Sequence, residues 1–218
     1  MWRLGYDNPP DFNDHQGFCG GFKHQFGRLG GRCGICGDPA DAWPRQHEAP
    51  GGRFANGIIT RQYKPGQDIV VKIDVTANHK GYFTFKLCDN NNTHQDPDQS
   101  CFDERVLRIV PSGEDRYYLT TFNTGVFTLK LRLPRDLRCS QCILQWTYTV
   151  GVDTDQLIPQ FSLSQAGNNW GSCGEETVEG EKAASLGCGP QETFRACSDI
   201  AISGNSVKSN LWALNPNK

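Results

Sequence analysis

The chain has 218 residues, 37% of them hydrophobic, and carries 22 Lys and Arg against 24 Asp and Glu for a formal net charge of -2. That size and apolar content support one sizeable core, and an all-β chain of this length is expected to form a single domain, 1–218. The charge balance gives no basic stripe for a phosphate backbone and no apolar run reaches the length of a membrane span, so neither nucleic acid nor membrane is an expected partner.

With 24 glycines, 12 prolines and one methionine, the composition predicts a turn-rich β protein in which helix is scarce. Ten cysteines spread from Cys19 to Cys197 point to an oxidising compartment, and the protein is expected to be extracellular. The opening Met1-Trp2-Arg3-Leu4-Gly5-Tyr6-Asp7 has no basic segment, apolar run or small-residue cleavage site of an export signal. The expectation is therefore a mature or truncated piece, or a start at an internal methionine.

Residues 1–56 read as a loop-rich segment: Asn8-Pro9-Pro10-Asp11, Cys19-Gly20-Gly21 and Gly30-Gly31-Arg32-Cys33-Gly34-Ile35-Cys36-Gly37-Asp38-Pro39 are nearly all turn formers. Cross-links rather than a core would hold such a segment. The main strands follow within 57–150, expected at 69–75, 81–87, 104–110, 116–122, 126–133 and 142–150, a spacing that fits a β-sandwich. Phe127, Leu129, Leu131 and Leu133 alternate onto one core face. In the strand after Cys139, Cys142, Leu144, Trp146 and Tyr148 share one side, with Ile143, Gln145, Thr147 and Thr149 on a second, wetter side. Residues 151–190 read as a long loop, pinned by cysteines or functional, and 191–203 as the final strand.

Between the runs 69–75 and 81–87 lies Ala77-Asn78-His79-Lys80, which sets His79 on a sheet rim, solvent-reachable and on a stiff scaffold as a surface metal ligand needs. A lone histidine in a strand connection is ordinarily just an exposed side chain, so this one gains meaning only from its surroundings. The Cys33-x-x-Cys36 and Cys139-x-x-Cys142 pairs have zinc-site spacing, but they are far apart and share the chain with six other cysteines, which favours disulfides. Asn91-Asn92-Thr93 is an acceptor motif for N-glycosylation. No nucleotide-binding glycine loop and no Gly-x-Ser-x-Gly elbow occur, and nothing singles out a catalytic carboxylate pair.

Six blocks in order carry a family resemblance: residues 2–11, Phe18-Cys19-Gly20-Gly21-Phe22, Cys33-Gly34-Ile35-Cys36-Gly37-Asp38, Ala77-Asn78-His79-Lys80-Gly81, Leu144-Gln145-Trp146-Thr147-Tyr148, and residues 191–200 from Gln191 to Ile200. Over nearly its whole length the chain resembles the animal lytic polysaccharide monooxygenases of auxiliary-activity family fifteen, whose module is the chitin-binding type-4 domain. The resemblance implies an immunoglobulin-like, fibronectin-III-like β-sandwich with long disulfide-linked loops, a flat face carrying one copper ion, and oxidative cleavage of β-1,4-linked polysaccharide. Chitin is expected ahead of cellulose, with an external electron donor and a monomeric protein.

In that family copper sits in a histidine brace, formed by the amine and ring of an N-terminal histidine and the ring of a second histidine. By the resemblance His79 is the second histidine, Phe194 takes the axial position, Ala77 shapes the other axial side, and Gln145 is a hydrogen-bonding group behind the metal. The first brace histidine has no counterpart here, and His15, His24, His47 and His94 cannot supply a terminal amine. The expectation is an N-terminally truncated sequence with an incomplete copper site. Against it stand a non-catalytic extracellular chitin-binding protein and a disulfide-rich structural domain. The copper reading requires His79 and Phe194 to meet on one rim.

Overall fold

The structure, a computed structural model, describes residues 1–15, 17–150, 177–178, 181–182 and 191–204. After a 3-10 turn at Trp2–Leu4 and a π-helical segment at Lys23–Arg28 the strands are β1 (Arg61–Tyr63), β2 (Asp68–Val75), β3 (Gly81–Cys88), β4 (Arg108–Val110), β5 (Tyr117–Leu119), β6 (Gly125–Arg132), β7 (Cys139–Thr149), β8 (Thr177–Val178), β9 (Glu181–Lys182) and β10 (Thr193–Ile202). One short helix, α1 (Gln99–Asp103), precedes β4. A five-stranded sheet in the order β1-β10-β7-β3-β5 faces a three-stranded sheet in the order β2-β6-β4, while β8 pairs with β9. The fold is an all-β sandwich, as expected. Among the described residues no helix is long and apolar enough to cross a membrane.

Strand alternation explains the core. Leu129, Leu131 and Leu133 are buried against Ile69, Ile73, Phe83, Phe85 and Leu87, with Trp146 and Phe194 partly buried at the margin. The intervening Thr128, Lys130 and Arg132 are exposed, which is the period of two expected for a sheet with one wet face.

Three expectations need correction. The strand placed at 104–110 is only Arg108–Val110, because residues 104–107 leave α1 through a turn and meet β3 in a single bridge, Val106 opposite Lys86, while the Cys88–Cys101 disulfide and the wholly buried Phe102 anchor α1 itself. The strand placed at 116–122 stops at Leu119. The face of β7 expected to be wetter is covered: Ile143 and Gln145 are 2% and 1% exposed beneath the loop at 33–36 and α1. The long loop expected over 151–190 lies outside the described residues, apart from β8 and β9.

The described cysteines form Cys19–Cys33, Cys36–Cys197, Cys88–Cys101 and Cys139–Cys142. Cys33 and Cys36 thus go to different partners, which removes the zinc-pair arrangement. Cys36–Cys197 fastens the loop-rich segment across β10, and the Arg195 N–H donates to the Gly17 carbonyl at 2.7 Å. Asn91 lies just beyond the end of β3 remote from His79. Its side-chain oxygen accepts from the Ser140 backbone N–H at 2.8 Å, so it braces the start of β7.

Candidate functional site

Register fixes one pole of the sandwich. Val75 pairs with Gly125, Gly81 with Leu119, Tyr82 with Thr149, and Thr149 with Thr193. The 76–80 turn, the 120–124 loop and the start of β10 therefore gather at the same end. Asn78, 8% exposed, holds the first two together: its amide donates to the Thr121 carbonyl at 3.2 Å and the Asn123 carbonyl at 2.5 Å, and its oxygen accepts from the Lys80 N–H at 2.8 Å. Lys80 has φ +56°, so the turn is tight and left-handed at the residue after His79.

Tyr148 anchors the turn from below. Its hydroxyl accepts from the His79 backbone N–H at 2.9 Å and donates to the Lys80 carbonyl at 2.6 Å. Both backbone groups are thereby satisfied, and the His79 side chain is left exposed at the rim. The Tyr148 ring also stacks on Phe194, centroid to centroid 5.9 Å at 26°. Burial pushes the Tyr148 phenol up to about 12, with the Glu192 charge adding to the rise and the His79 N–H opposing it, so it stays a neutral hydrogen-bonding strut.

Ala77, His79, Tyr148 and Phe194 line one cleft of about 460 Å³ together with Trp146 and the exposed His15. His79, Phe194 and Ala77, selected from sequence, are thus found together. Gln145 is not among the residues of this cleft: its amide donates to the Ile35 carbonyl at 2.7 Å and to Gln99 at 3.0 Å, four residues down β7 from Thr149. It is a buried strut under the 33–36 loop.

Tyr148, Asn78 and Glu192 are site residues that the sequence did not single out. Glu192, two positions before Phe194, is half-buried. Burial raises its carboxyl above the ordinary range, against the lowering pull of the His79 imidazole. The signal for it was the two-residue strand period back from Phe194; for Asn78 there was none, since its partners are 43 and 45 residues away. Among the described residues no group of three or more His, Cys, Asp or Glu is arranged to hold a metal ion.

A second cleft, of about 190 Å³, shares Asp14, Gly17, Ala196, Cys197 and Ser198 with the first. His47 lies along it, with Nδ1 2.9 Å from Asp38 and Nε2 3.0 Å from Asp11. Both imidazole nitrogens are taken by carboxylates, which makes this a tie between loops rather than an open ligand.

A family model described as "Lytic polysaccharide mono-oxygenase, cellulose-degrading" matches residues 5–200. A solved structure of an AA15 lytic polysaccharide monooxygenase from Thermobia domestica in the Cu(I) state is similar to the chain at 35% identity and a TM-score of 0.76, over 94% of each chain. No curated protein matches.

Proposed function

The chain belongs to the lytic polysaccharide monooxygenases of auxiliary-activity family fifteen, and on that premise we propose that it cleaves β-1,4-linked polysaccharide at the His79 pole, with chitin ahead of cellulose as substrate. The observation that carries this reading is the single cleft lined by His79, Phe194 and Ala77. Copper bound there would supply the one-electron chemistry that lets an oxidant take hydrogen from a glycosidic carbon.

The residues fit that metal in part. His79 offers an exposed imidazole on a turn fixed by Tyr148 and Asn78, and imidazole suits copper. Phe194 has no donor atom, so its ring would keep water from the side it faces. Ala77, in the same cleft, is too small to crowd a metal held by His79. A histidine brace would add to His79 a second imidazole and a terminal amine. Secretion, a monomeric state and delivery of electrons by an external donor belong to the same proposal.

A second reading is a non-catalytic chitin-binding protein that uses the same face without a metal. The experiment that decides is incubation of copper-loaded protein with a reductant and chitin or cellulose, followed by mass analysis of soluble products. The protein should be compared as it stands and extended ahead of Met1 to open on histidine. Oxidised chito-oligosaccharides from the extended form are expected. Oxidised cello-oligosaccharides alone would reverse the substrate order, and no oxidised product from either polymer would leave the binder.

A further inference from the structure

Phe122 lies in the 120–124 loop, 47% exposed, one connection away from His79. An exposed phenyl ring on a loop tip would ordinarily be only a solvent-facing apolar group. This one is fixed in two ways. Asn78, adjoining His79, binds the carbonyls on either side of it, those of Thr121 and Asn123. Lys80, the residue after His79, sets its ammonium 4.6 Å from the ring centroid. The three residues Asn78, His79 and Lys80 thus present an imidazole and hold the aromatic ring of the neighbouring loop at the same pole.

With Lys80 on the ring and nearly half of Phe122 still open to water, the remaining surface suits a flat apolar object. A pyranose in a β-1,4-linked chain presents such a surface, the axial C–H groups of its ring face, and an aromatic ring meets it by stacking. We propose that Phe122, oriented by Lys80 and by the loop that Asn78 clamps, is a stacking subsite that seats one pyranose ring of the polysaccharide beside His79. The inference rests on the function proposed above and adds the residue that grips the substrate.

The test is the binding isotherm of the metal-free 218-residue chain on insoluble chitin and cellulose, with Phe122→Ala and Phe122→Trp compared at matched thermal stability. Phe122→Ala should weaken binding roughly three- to tenfold, as expected for loss of one stacked ring. Phe122→Trp should bind within about twofold of the parent or better, and its added indole emission should shift with a soluble chito-oligosaccharide. Parent-like binding by Phe122→Ala, with parent binding intact, overturns the subsite and leaves the proposed function standing. Failure of the parent to bind either polymer removes the subsite and the polysaccharide reading together.

Discussion

His47 has carboxylates 2.9 and 3.0 Å from its two ring nitrogens, and its ring stacks on Phe54 at 5.1 Å. Burial alone would lower its pKa, but the hydrogen bonds and charges of Asp38 and Asp11 outweigh it and raise the imidazole to about 9. A folded value above the unfolded value of about 6.5 means that the stabilisation is whole below pH ~6.5 and is lost as pH rises through about 9. Because a third of the side chain is exposed, the shift is discounted for screening to about 1–2 kcal/mol. His47→Gln should therefore unfold earlier than the parent in denaturant at pH 6, with the gap closing by pH 10. A gap that does not shrink would refute the charged clamp. In the sequence His47 is only one of four histidines that cannot supply a terminal amine; its partners lie 9 and 36 residues away and meet it only through folding.

At the level of elements, alternation was readable wherever one face of a strand is wet, as in β2 and β6 with their exposed charged positions. It misled on β7, because a loop with no periodicity of its own covers the outer face, and nothing in Ile143-Leu144-Gln145 announces that cover. The cover depends on backbone approach that only glycine permits. Gly37 has φ +99°, and a Cβ there would lie 2.5 Å from the Arg195 carbonyl oxygen and 2.7 Å from the Gly17 Cα. Gly30 is a control, with φ +62° and nothing within 4 Å of a Cβ. Gly30→Ala should cost only the left-handed strain, about 1–2 kcal/mol, whereas Gly37→Ala should cost about 3 kcal/mol or more because backbone atoms must also separate. Urea unfolding of the two variants checks this, and equal losses would mean that the 33–38 loop does not press on β10.

Across the whole molecule the sandwich has two unlike poles. The Cys139–Cys142 bridge and Asn91 close one, and His79, Phe122 and Phe194 mark the other. His79 was legible because a break between two alternating runs must fall at a sheet rim, and Phe194 because the family resemblance marked it. Phe122 was not, since its nearness depends on side-chain bonds from Asn78 that no spacing encodes. The same pole bears on copper. One rigid imidazole gives a divalent metal a single strong nitrogen, whereas two imidazoles and an amine give a three-nitrogen set of the kind copper favours over metals that prefer oxygen. By calorimetry the 218-residue chain should bind copper weakly, and a chain extended ahead of Met1 to open on histidine should bind it at least about a hundredfold more tightly, a gain of roughly 2.7 kcal/mol or more. His79→Ala in the extended chain should remove most of that gain, because the amine and remaining imidazole would lose their third nitrogen. Equal affinity with and without the extension would mean that His79 is not half of a brace.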